Sequence, residues 1–203
     1  MKKITYILAM ALMLSSAFFQ ISCEGLINDE DDTTVDPNGG IDPVVDDAMY
    51  FSVNLQNNSL KPDADKASLD ISNLEAVPAN KGDLTLFWQN SYGYVITSPD
   101  GSLIREKADD DNVAYTNTKT TVVQNLGNVS LDSYDQLSEL NNLKVTSGGI
   151  PNIPKKNQVQ VSSGDVVAFQ KGNVKGVAKV SGLSKVSKKI TLTGYVNLTA
   201  SSK

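Results

Sequence analysis

Hydrophobic and polar residues alternate with a period of two near the end of the chain. Ile190, Leu192, Val196 and Leu198 fall on one side of an extended segment, and Thr191, Thr193, Tyr195 and Asn197 on the other. Successive side chains of a strand point to opposite faces, so this spacing predicts a half-buried antiparallel strand. Phe51, Val53 and Leu55 alternate in the same way with Tyr50, Ser52 and Asn54, as do Leu84, Leu86 and Trp88 with Thr85 and Phe87. Each of these segments predicts a strand with one wet face.

Turn chemistry separates such segments. Ser98-Pro99-Asp100-Gly101 places proline where its fixed φ suits a type I turn and glycine where a positive φ is tolerated, which predicts a hairpin joining 94–97 to 102–105. Ser163-Gly164-Asp165 and Gly172-Asn173 bound a strand over 166–169 and another starting near Val174, so the C-terminal part predicts a meander. One helix is expected. Ser133 and Gln136 have the spacing of a capping box, and Tyr134, Leu137 and Leu140 recur at threes along one face, suited to covering an open end of the sheets. The fold class that follows is all-β: an antiparallel β-sandwich or partly open barrel with one short helix.

The N-terminus follows a different logic. Lys2 and Lys3 precede an apolar run over residues 4–14, diluted by Ser15, Ser16 and Gln20 before Ser22-Cys23. This is the order of a secretory signal covering residues 1–22. The run falls short of the roughly 20 apolar residues that span a bilayer, although an uncleaved signal anchor is the competing reading. Residues 24–47 hold nine acidic side chains and no Lys or Arg. With few apolar groups and strong self-repulsion, that stretch has nothing to offset its ordering entropy and reads as a tether. Residues 48–203 then form a single β-rich domain of ordinary size.

Gln20-Ile21-Ser22-Cys23 resembles the lipobox of bacterial lipoproteins, with Gln20 where leucine is usual. The resemblance implies cleavage before Cys23, the only cysteine, and its lipidation. Two or more acyl chains hold a protein durably on a membrane. Glu24, Asp29, Glu30, Asp31 and Asp32, close behind that cysteine, resemble the surface-export signal of Bacteroidota lipoproteins, the plainer reading being a solvating spacer. The resemblance implies a protein on the outer face of the outer membrane. Asp32-Thr33-Thr34 resembles that phylum's short acceptor motif for O-glycosylation, which implies modification of Thr33. The segments 164–170, 176–180 and 190–195 resemble in their patterning the terminal meander of Bacteroidota haem-carrier lipoproteins, which implies an all-β domain on a lipid tether. No haem-ligating histidine carries over, so a shared fold would imply a changed ligand.

Composition narrows the chemistry. The chain contains no histidine, which removes Ser-His-Asp and Cys-His catalysis, His-ligated zinc and the usual imidazole ligands of haem. No phosphate-cradling glycine loop is present, and neither a nucleic-acid partner nor a cofactor is expected. Asp63-Ala64-Asp65 begins like a calcium loop but lacks the further ligands, glycine and closing glutamate at the required offsets, so no metal site is expected. Glu106 with Asp109, Asp110 and Asp111 offers clustered acids in a polar stretch, read as a solvated turn in preference to a glycosidase pair.

Charge is segregated along the domain. Residues 48–143 carry 6 basic and 13 acidic groups, whereas residues 144–203 carry 10 basic and 1 acidic. Lys175, Lys179, Lys185, Lys188 and Lys189 either guard exposed strand edges or attract an acidic polysaccharide, lipopolysaccharide phosphate or a partner protein.

The candidate ligand-binding residues are Phe87, Trp88, Tyr92 and Tyr94, flanked by Gln89 and Asn90. Flat aromatic faces beside amides suit stacking on sugar rings, while the plainer reading places Trp88 and a tyrosine in the core. The expected function is non-enzymatic: a membrane-anchored surface lipoprotein binding a glycan or an outer-membrane protein partner. The alternative is a structural accessory subunit of a surface fibre or outer-membrane complex.

Overall fold

Ile190, Leu192 and Val196 all turn inward along one strand, as their spacing requires, and Phe51, Val53 and Leu55 face the same interior from the strand beside it. The computed structural model describes residues 47–56, 66–89, 91–110, 112, 114–153, 157–184, 186 and 189–198, all within the unit Pro43–Lys203. The signal, Cys23, Glu24, the acidic residues Asp29, Glu30, Asp31 and Asp32, Thr33, and the Asp63-Ala64-Asp65 stretch lie outside the described residues.

In chain order the strands are β1 (Met49–Gln56), β2 (Ser68–Asp70), β3 (Glu75–Val77), β4 (Leu84–Gln89), β5 (Gly93–Thr97), β6 (Val122–Gly127), β7 (Gln158–Val161), β8 (Val166–Lys171), β9 (Val174–Ser184) and β10 (Lys189–Val196). Helix α1 (Ser102–Asp110) follows β5, and α2 (Leu137–Asn142) follows β6. The strands form two five-stranded antiparallel sheets in a sandwich-like, open arrangement. Sheet one runs β1-β10-β9-β8-β6 and sheet two β3-β2-β4-β5-β7. β8, β9 and β10 are consecutive neighbours, so the C-terminal meander is present. Its first turn places Lys171 opposite Val174, with Gly172 at φ +59°, the positive value that a two-residue II′ hairpin needs at its first position.

The inner faces share one core. Phe51, Leu55, Phe169, Val180 and Leu192 from sheet one meet Leu69, Leu84, Leu86, Ile96 and Val159 from sheet two. Phe51 and Phe169 pack edge to face with ring centroids 6.3 Å apart. Each such side chain removed from water contributes about 1.5–3 kcal/mol.

Four expectations need correction. The outer face of β4 is dry. Thr85 and Phe87 are fully buried, because Leu103, Ile104 and Ala108 of α1 lie over Phe87 and Val95. Next, residues 102–105 open a helix and not a strand. The Ser98 turn forms, with the Gly101 N–H donating to Ser98 O at 2.9 Å, but Leu103, Ile104 and Ala108 share a helical stripe that a four-residue window does not reveal. Nine residues make a marginal helix in isolation, and burial of this stripe sustains it.

The third concerns α2, which begins at Leu137, behind a 3₁₀ turn at Asp132–Tyr134. Gln136 is the N-cap in extended conformation, without a side-chain capping bond, so Ser133 and Gln136 do not make a capping box. Leu137 and Leu140 pack on Val166, Ala168 and Val177, so the helix covers the outer face of sheet one and not an open end. Finally, Lys175, Lys179 and Lys189 guard no edge, since β9 and β10 are interior strands. Lys175 Nζ instead donates to the carbonyls of Asn141 (2.7 Å) and Leu143 (2.8 Å) at the end of α2, where helix carbonyls lack partners. Lys185 and Lys188 lie outside the described residues.

Candidate functional site

The hairpin between β4 and β5 carries all four candidate aromatics, and its register sorts them. Gln89 pairs with Gly93 and Trp88 with Tyr94. The Tyr92 N–H donates to Gln89 O at 3.1 Å, and Gly93 follows at φ +73°. A turn closed by a left-handed glycine is a common three-residue hairpin, and here the glycine serves a second purpose. A Cβ at Gly93 would lie 3.6 Å from Trp88 Cζ3, so the indole lies beside a backbone that lacks a side chain.

Strand alternation then places Trp88 and Tyr94 on the inner face and Phe87 on the outer one. Trp88 and Tyr94 meet edge to face, with centroids 4.8 Å apart and planes at 73°. Phe87 belongs to the core under α1 and is removed from the candidate set. Tyr94 is itself only 5% exposed, and its hydroxyl donates to Ser184 O, fastening β5 of sheet two to the end of β9 in sheet one. Burial raises the Tyr94 phenol above its ordinary pKa, against the lowering effect of that hydrogen bond.

Trp88, Tyr92 and Tyr94 line a cavity of about 370 Å³ at this end of the sandwich. Gly93, Gln160, Val161, Ser162, Ser163 and Leu183 complete its wall. The volume is near the lower end of the range for small-molecule sites. None of the lining side chains is charged at neutral pH. Aromatic surface, an amide and two hydroxyls can stack on a ring and hydrogen-bond its substituents. They supply no nucleophile paired with a base.

Leu183 reaches the cavity through an irregularity. Val180 faces the core, and strict alternation would turn Leu183 to the outer face. Between Ser181 and Ser184, however, β9 uses one more residue than β10 does between Lys189 and Thr191, and Gly182 takes φ +64°. This bulge turns Leu183 inward, a re-aiming that bulges commonly perform beside binding sites. The isolated glycine in Val180-Ser181-Gly182-Leu183 is the sequence signal that could have found it.

Ser162 and Ser163 are placed by the turn into β8. Asp165 accepts from the Ser162 N–H at 2.8 Å and from Asn125 Nδ2 at 2.9 Å, while Gly164 adopts φ +94°. Gln160, Ser162 and Ser163 lie 60 or more residues from the aromatics in sequence, and no local motif marks them. Glu106, Asp109 and Asp110 stand on α1, and Asp111 is outside the described residues. Among the described residues no group of three acids or other ligands is arranged to hold a metal. No helix among them is long and apolar enough to cross a membrane.

The chain matches no family model, no curated protein and no solved structure.

Proposed function

We propose that this protein is a lipid-anchored surface lipoprotein whose β-sandwich captures a neutral, ring-shaped ligand without transforming it, a glycan unit being the class best suited. The observation that carries this reading is the lining of the cavity. Trp88 and Tyr92 offer aromatic surface, with the buried Tyr94 packed edge to face on Trp88, Gln160, Ser162 and Ser163 offer hydrogen-bonding groups, and no formal charge is present. Sugar rings present the complementary pattern of an apolar C–H face edged by hydroxyls. In this proposal Cys23 carries the lipid, and Glu24 and the acids Asp29, Glu30, Asp31 and Asp32 direct export to the surface.

The test is a neutral-glycan array probed with the full chain in detergent, repeated with Tyr92→Ala and Trp88→Phe. Tyr92 is partly exposed and packs on the smaller core under α1 and not on the core between the sheets, so its truncation should weaken binding about tenfold, equivalent to about 1.4 kcal/mol, with thermal melting to show that the variant stays folded. Trp88→Phe should give a smaller loss. Failure of the parent chain to bind any neutral glycan would overturn the proposal and favour a structural accessory role in a surface fibre or outer-membrane complex.

A further inference from the structure

We infer that the uncovered part of the outer face of sheet one is a second binding surface, separate from the cavity, that takes an extended acidic polysaccharide of the uronate type. Helix α2 covers only one region of this face, over Val166, Ala168 and Val177. Beside it the outward positions of β1, β10 and β9 form parallel rows across the strands. The row nearest α2 holds Tyr50 and Tyr195, directly paired and packed edge to face at 5.7 Å. Tyr50 is 59% exposed, the only aromatic among the exposed large apolar side chains of the described residues. A ring held upright by a neighbouring ring is a ready stacking surface, obtained with little further loss of side-chain freedom.

The next row runs Ser52, Thr193 and Lys179, with the two hydroxyls 3.2 Å apart. Beyond it Thr191 donates to Asn54 Oδ1 at 2.7 Å, and the last row pairs Gln56 with Lys189. From the first row to the last the surface extends about 20 Å, six residues at roughly 3.4 Å each, long enough for several sugar units. Lys179 and Lys189 are exposed, and neither has an ion-pair partner among the described residues. The outward residues in these rows include no carboxylate. A stacking ring, hydroxyl and amide rows, and two cations without a facing acid together complement a chain of sugar rings bearing carboxylates. A neutral chain would leave both lysines unused.

The cavity is not part of this surface, so the two readings are tested apart. The full chain is measured against polygalacturonate at low and moderate salt, with a neutral β-glucan as comparison. Lys179→Gln with Lys189→Gln should lower affinity about tenfold at low salt and flatten its salt dependence. Tyr50→Ala should lower it several-fold, whereas Tyr92→Ala in the cavity should leave it unchanged. Lys144→Gln, removing an exposed cation near α2, should also leave it unchanged. The inference is overturned if the parent does not bind polygalacturonate, if the lysine pair and Tyr50→Ala weaken binding of the neutral chain as much as that of polygalacturonate, or if Lys144→Gln weakens binding as much as the lysine pair does. Loss of binding in Tyr92→Ala would assign the acidic chain to the cavity and likewise overturn the second surface.

Discussion

Lys171 Nζ lies 2.9 Å from Asp83 Oδ2, joining the end of β8 in sheet one to the residue that precedes β4 in sheet two. Asp83 is completely buried, and its other oxygen is 3.2 Å from Lys119 Nζ. The Ile71 N–H also donates to Oδ2 at 3.0 Å. Both lysines remain partly exposed, so their ammonium groups keep some hydration while the carboxylate has none. This arrangement clamps the two sheets together at the edge of their shared core. Asp83→Ala should therefore cost about 3 kcal/mol, since it removes the countercharge of two lysines and the hydrogen-bond acceptor of Lys171 and the buried Ile71 N–H. Lys171→Met should cost about 1 kcal/mol, because Lys119 still neutralises the carboxylate. Urea midpoints of the two variants would check the order, and equal losses would refute it.

Tyr115 makes stability fall at alkaline pH. Burial, partly offset by a hydrogen bond with Thr85 and the nearby Arg105 charge, pushes its phenol up to about 12 from 10.0. Its hydroxyl donates to Ala79 O at 3.2 Å. In the unfolded chain the phenol ionises near 10, so its contribution is complete below that pH and is lost as pH rises toward 12. The slope through that window should reach at most about 1.4 kcal/mol per pH unit. Urea unfolding at pH 9, 10 and 11 should show the decline, and Tyr115→Phe should flatten it at a cost of about 1 kcal/mol at neutral pH.

Gly182 links backbone conformation to the cavity. At φ +64° a side chain is strained, and a Cβ there would stand 3.4 Å from Thr191 Oγ1. Gly182→Val should cost more than about 1 kcal/mol and favour a straightened strand in which Leu183 leaves the cavity. The expected outcome is a larger loss of glycan affinity than the loss of stability accounts for. Thermal melting alongside binding would separate the two effects.

Much of the architecture was legible in short segments. The alternation along β1 and β10 identified their inner faces, and the glycines at 164 and 172 marked the turns of the meander, because period and positive φ are local properties. Trp88, Tyr92 and Tyr94 were legible as a group because a single hairpin carries them. The wet face expected for β4 failed for a nonlocal reason. Whether Phe87 meets water depends on α1, and the N-terminus of α1 is itself held by Gln158, whose side-chain oxygen accepts from the Leu103 N–H at 3.2 Å across 55 positions of sequence.

By itself the sequence determined the all-β class, the strand faces, the absence of imidazole chemistry and the segregation of charge, since each follows from residue type and spacing. Only the tertiary structure decided which strands became interior, which side chains closed the cavity and what the lysines faced. Those outcomes depend on strand order and on packing between distant segments. Leu183 lines the same cavity as Trp88 only because one sheet lies against the other and an extra residue at a bulge turns it toward the gap.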